Sequence, residues 1–161
     1  MVILVRIFGG ILFLICVWII LGWAPEAQVL SKTEALLEAT SERNWDQVGR
    51  MVSEGYRDDW GFDRGSFLSV AAEAGRQFFV LDIRADGKPV VRNAGDGRMI
   101  WSGRIRFAGR GNALGEAMLS RASFLREEFE LTWRQESWKP WDWKLVFVGQ
   151  PELRFDAGWL P

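Results

Sequence analysis

The densest set of groups able to do chemistry is the run Tyr56-Arg57-Asp58-Asp59-Trp60-Gly61, followed closely by Asp63 and Arg64. A carboxylate base beside a phenolic donor in an apolar pocket suits proton abstraction next to a carbonyl. Asp59 or Glu127 would be the candidate base and Tyr56 the candidate donor, with Trp60 part of the wall. The same residue types also build a joint with no ligand at all. Asp and Gly favour turns, Asp63 can cap a following helix, Arg57 or Arg64 can pair with a neighbouring carboxylate, and Tyr56 and Trp60 can fill the space between elements.

Glu127 is a second candidate acid or base. It falls on the face otherwise occupied by Leu125, Phe129, Leu131 and Trp133, which predicts a place inside the cone, with the open end of the sheet as the alternative. Burial there would raise its pKa. Ten tryptophans form a third signal, with Trp101, Trp133, Trp138, Trp141 and Trp143 gathered on expected strands. Indoles serve as a ligand platform or as core. Trp101 and Trp133 are read as candidate ligand contacts with core packing as the alternative; Trp138 and Trp141 flank a turn, and Trp143 follows the inward period.

Composition removes several classes of function. There is no histidine, and the single cysteine, Cys16, lies inside an apolar run, so a histidine-based triad and the usual nitrogen and sulfur sites for zinc or copper cannot be assembled. No cofactor motif is found. A net charge of -1 argues against a broad nucleic-acid footprint.

The elements that must position these residues start with helices. Ser31 and Glu34 have the spacing of a capping box, which predicts a helix from Ser31 carrying Ala35, Leu36, Leu37 and Ala39 on one face. Asn44 predicts a second cap, for a helix displaying Trp45, Val48, Met51 and Val52, and Asp63 a third, for a helix displaying Phe67, Val70, Ala71 and Ala74. Beyond Arg76 the period changes to that of strands. Asp86-Gly87 predicts a hairpin turn, and residues 93–97 a second one. Met99, Trp101, Ile105 and Phe107 share one face of the next strand, opposite Ser102, Arg104 and Arg106. Alternation is clearest over residues 124–136, and Trp141, Trp143, Leu145 and Phe147 continue the apolar face along a last strand. The expected fold class is α+β, with about three helices packed on a curved, mostly antiparallel sheet.

This order, with Asn44-Trp45 through Met51, the elbow Tyr56-Arg57-Asp58-Asp59-Trp60-Gly61 and the terminal Trp141-Asp142-Trp143-Lys144-Leu145, resembles the NTF2-like superfamily, the cone-shaped fold that also houses ketosteroid isomerase and SnoaL-like cyclases. The resemblance implies a cone over residues 31–150. It transfers no catalytic residue, since the superfamily contains enzymes, ligand binders and interaction domains. It also implies homodimerisation through an exposed sheet face. The layout is similar to that of the bitopic assembly component of type IV secretion systems, whose periplasmic NTF2-like domain is a scaffold.

Residues 7–24, IFGGILFLICVWIILGWA, carry no charge. As a helix they reach about 27 Å, close to the hydrocarbon thickness of a bilayer. Arg6 precedes the run and the first cation after it is Lys32, which places the N-terminus in the cytoplasm and the rest outside. The organisation read from the sequence is a stub and transmembrane anchor over 1–24, a linker over 25–30, the domain over 31–150 and a tail over 151–161. A cleaved signal peptide and a secreted domain form the alternative. The expected partners are the lipid bilayer through residues 7–24 and a second copy or a membrane complex, with no nucleic acid. The expected function is a non-catalytic extracytoplasmic binding or assembly module, and the alternative is a small-molecule cone of isomerase or dehydratase type.

Overall fold

Residues 24–153 are described by the computed structural model. In chain order they form α1 (Pro25–Ser41), α2 (Trp45–Met51), α3 (Arg64–Gly75), β1 (Phe78–Gly95), β2 (Arg98–Gly111), α4 (Ala113–Ala122), β3 (Phe129–Gln135) and β4 (Trp143–Gly149). The four strands lie in the order β1-β2-β3-β4, every neighbouring pair antiparallel. The α+β class is as the sequence implied, with one helix more than expected.

The first helix begins six residues before Ser31. Pro25 occupies its first turn, where a missing N–H costs nothing and a fixed φ favours the helix, and Glu26 complements the N-terminal end of the dipole. Val29, Thr33 and Leu36 are buried along one face, so packing carries the helix back through residues 25–30, which are helical rather than a linker. Ser31 is an exposed interior residue and caps nothing.

Both other expected caps form. Asn44 accepts from the Gln47 N–H at 3.2 Å and Asp63 from the Ser66 N–H at 2.9 Å, starting α2 and α3. Val52, expected at the end of α2, is instead extended and bridges Leu145 in parallel, because its neighbour Ser53 donates its N–H to the Leu145 carbonyl.

Asp86-Gly87 does not reverse the chain. Gly87 adopts φ +86°, and the register shifts between Asp86 and Val90, so this segment is a bulge in one long strand. The reversal falls at Asp96-Gly97, with φ of 52° and 67°, where Gly95 pairs with Arg98 across a two-residue hairpin loop. The free edge of β1 is covered where α1 ends: the Ile83 N–H donates to Ser41 Oγ at 2.8 Å, and Arg43 donates to the Phe78 carbonyl at 2.5 Å. Helix α4 is an element beyond those the sequence predicts. Asn112 caps it by accepting from the Gly115 N–H at 3.0 Å, and Glu116 accepts from the Gly111 N–H at 3.0 Å. The expected alternation from residue 124 starts only at Phe129, because residues 124–128 make the turn out of α4.

The core lies between the sheet and the first two helices. Trp101 and Trp133 are 1% and 0% exposed and pack with Val29, Leu36, Val48, Tyr56, Leu131 and Leu145. Truncating either indole to alanine costs about 3–5 kcal/mol. No helix among the described residues is long and apolar enough to cross a membrane. The apolar run 7–24 lies, except for Ala24, outside the described residues.

Candidate functional site

A partly open cavity of about 580 Å³ lies between the sheet and α3 and α4. Its walls come from elements distant in sequence. Trp45 starts α2, Ala71, Ala74 and Gly75 supply the last turns of α3, and Phe78, Leu81, Ile83 and Phe107 come from β1 and β2. Met118, Leu119 and Ala122 of α4 form the facing wall, with Leu125 and Leu153 at the rim. Gly75 makes the junction between two walls possible: a Cβ there would lie 2.5 Å from the Trp45 ring. Such a volume suits a small apolar molecule.

Three polar side chains reach the lining: Thr40, Arg121 and Glu152. Thr40 Oγ1 donates to the Leu36 carbonyl of its own helix at 2.7 Å. Glu152 Oε2 accepts from the Arg126 and Glu127 N–H groups at 2.6 and 3.0 Å, and these bonds hold its carboxyl below the usual carboxylate range. Its work is to tie the chain after β4 to the turn before β3. A carboxylate held anionic by two backbone donors is a poor base.

The elbow after α2 is built around Asp58 instead. Tyr56 is fully buried, its ring 4.9 Å from that of Phe67, and its hydroxyl donates to Asp58 Oδ2 at 3.2 Å. Asp58 Oδ1 accepts from the Trp60 and Phe62 N–H groups at 3.0 and 2.8 Å. Burial, and then the adjacent Asp58 charge and hydrogen bond, push the Tyr56 phenol far above its ordinary pKa, so it remains a donor to Asp58. Asp59 is exposed, with its N–H donating to the Val148 carbonyl, and Trp60 is half-buried, its indole N–H donating to the Leu153 carbonyl at 2.6 Å. Arg64 spans the joint by donating to the Gly49 and Val52 carbonyls at 2.8 and 3.2 Å, satisfying the C-terminal end of α2.

Of the six residues singled out in the sequence, Tyr56, Asp59, Trp60, Trp101, Glu127 and Trp133, none lines the cavity. Trp101 and Trp133 belong to the core, and Tyr56 and Trp60 to the elbow. Glu127 points neither into the cone nor along a strand: it is exposed in the turn before Phe129. The alternating strand that would carry Glu127 on its face begins only at Phe129. The residues that do line the cavity, among them Trp45, Phe107 and Leu119, read as ordinary apolar face positions. The sequence signal for α4 is Asn112 followed by Glu116, whose side chains accept from the Gly115 and Gly111 N–H groups.

The arrangement of the described residues is similar to that of several solved structures. An NTF2-like protein of unknown function from Pseudomonas putida KT2440 superposes with a TM-score of 0.58 over 82% of this chain and 88% of its own, at 10% identity. The fold is NTF2-like. A candidate dehydratase of the NTF2-like family from Streptomyces avermitilis matches this cone with a TM-score of 0.56 at 14% identity, covering 76% of this chain and 91% of that one. Bd1075 of Bdellovibrio bacteriovorus gives a TM-score of 0.57 at 12% identity over 81% of this chain, which spans only 41% of that protein. No family model and no curated protein matches the sequence. At these identities the likeness establishes the NTF2-like architecture and leaves its use to the residues of this cone.

Proposed function

We propose that this NTF2-like cone is a non-catalytic binding module that seats an apolar small molecule in the cavity beneath α4, held outside the cytoplasm by residues 7–24 acting as a membrane anchor. One observation carries the reading: the cavity walls are mostly apolar, and the one carboxylate reaching them, Glu152, is already engaged by two backbone N–H groups. Binding there rests on burial of apolar surface, at roughly 25 cal/mol per Å². The tether is supported by the charge-free run and by Arg6 before it. A dehydratase or isomerase reading needs a base facing the ligand, and Tyr56 with Asp58 forms a closed pair away from the cavity.

The test is thermal denaturation of the full chain with a panel of planar and chain-like apolar compounds, followed by mass analysis of the recovered compound. A saturating ligand at a hundred times its Kd should raise Tm by about 5–10 °C, and the compound should return unchanged. Conversion of the compound would replace this reading with the enzymatic one. No shift across the panel would remove the ligand.

A further inference from the structure

The loop joining β3 to β4 holds two indoles out into solvent. Trp138 is 85% exposed and Trp141 52%, whereas Trp101, Trp133 and Trp143 are buried on the same sheet. The loop is closed by its own hydrogen bonds. Gln135 Nε2 and the Asp142 N–H both donate to the Lys139 carbonyl, at 3.0 and 3.1 Å, and the Trp143 indole donates to the Pro140 carbonyl at 2.8 Å. Lys139, also exposed, sits between the two indoles. Nothing in the described fold uses either exposed ring. Indoles beside a lysine on a fixed turn are suited to the zone between headgroups and acyl chains, where an amphipathic ring is better placed than in water or in hydrocarbon.

The position of the loop agrees with that destination. Helix α1 starts at Pro25, so the folded domain follows the apolar run 7–24 directly in sequence. It lies opposite in direction to β1: Arg43, just beyond its end, reaches Phe78 at the start of the strand, Ser41 meets Ile83, and Glu34 and Leu37 share a groove with Ala85. Its first turn therefore points toward the end of the sheet where both hairpins reverse, and there the Gln135 N–H donates to the Gly97 carbonyl at 3.0 Å. The β3–β4 loop projects from that same end.

We infer that Trp138, Lys139 and Trp141 form a second membrane contact, an interfacial foot that inserts beside the anchor and fixes the orientation of the cone on the bilayer. The inference rests on the membrane-tether part of the proposed function. It is independent of what the cavity holds.

The experiment uses the full chain with Cys16→Ser and a single cysteine at Lys139→Cys, labelled with an environment-sensitive nitrobenzoxadiazole dye and reconstituted into phosphatidylcholine vesicles containing lipids with a nitroxide near the headgroup. A label at Phe79→Cys, at the opposite end of β1, is the reference. The dye at residue 139 should be blue-shifted and quenched several-fold more than at residue 79. Adding Trp138→Ser and Trp141→Ser should remove most of that difference while the chain still floats with the vesicles. Equal quenching at the two positions, or quenching indifferent to both tryptophans, overturns the foot and leaves the tether standing; those indoles would then belong to a protein contact. A chain that does not float overturns the tether and the foot together.

Discussion

The Tyr56 hydroxyl donates to Asp58 Oδ2 at 3.2 Å while the other oxygen of the same carboxylate gathers the N–H groups of Trp60 and Phe62. One buried carboxylate thus organises the whole joint between α2 and α3. Removing the hydroxyl leaves the ring and the two backbone bonds in place, so Tyr56→Phe should destabilise the fold by about 1–2 kcal/mol. Asp58→Ala removes the acceptor of one buried and two part-buried donors at once and should cost more, about 2–4 kcal/mol. Urea midpoints at constant m should show this order; the reverse order would mean that Asp58 is not the organiser.

Arg64 closes the same joint from the other side. With the Gly49 and Val52 carbonyls as acceptors and its side chain one-third exposed, Arg64→Gln should cost about 1–2 kcal/mol. Glu54→Gln, which removes only the exposed carboxylate 3.3 Å from the same guanidinium, should change stability by less than about 0.5 kcal/mol. Paired denaturation curves separate the two roles.

Gly109 faces the opposite strand with φ +154°, and a Cβ at that position would lie 2.1 Å from the Val80 carbonyl oxygen. Gly109→Ala should therefore destabilise the β1–β2 ribbon by about 2–4 kcal/mol. Gly87→Ala, in the bulge with nothing near its Cβ, pays only for its φ of +86° and should cost about 1–2 kcal/mol. Thermal melts of the two variants side by side measure the contrast.

The Glu152 clamp has a definite pH dependence. Because the folded-state pKa lies below the ordinary value, the clamp is fully present above the ordinary carboxylate range and is lost as pH falls through the lowered folded value. Amide hydrogen exchange at Arg126 and Glu127 should accelerate on acidification beyond the intrinsic pH dependence, and Glu152→Gln should remove the excess. Exchange that follows the intrinsic rate at both amides would show that the carboxylate does not hold them.

How much of this was readable from the chain depended on whether the cause was local. Asn44 and Asp63 cap the helices they precede because a cap needs only its own next few residues, and the faces of β2 follow from alternation alone. Ser31-Glu34 had the same local signature and failed, because Pro25 offers an earlier start and Val29 is drawn into the core. Two Asp-Gly pairs were present in one ribbon. Asp96-Gly97 reverses the chain while Asp86-Gly87 becomes a bulge, a choice set by pairing with Arg104 and Ser102 across the ribbon and not by the dipeptide. The cavity was out of reach for a similar reason. Trp45, Ala74, Phe78, Phe107 and Leu119 meet only after five elements have packed, and one of those, α4, has no counterpart among the elements the sequence predicts. The residues of the elbow are adjacent in sequence, and that adjacency serves a turn.

The most direct test of the account is the affinity of the full chain for its best apolar ligand, measured by calorimetric titration before and after Ala74→Trp, which fills the cavity from α3, with Trp138→Ser as the control outside it. A loss of about tenfold or more on filling, equivalent to about 1.4 kcal/mol, with the control unchanged, is the predicted result. Equal affinity in all three proteins would contradict binding in this cavity.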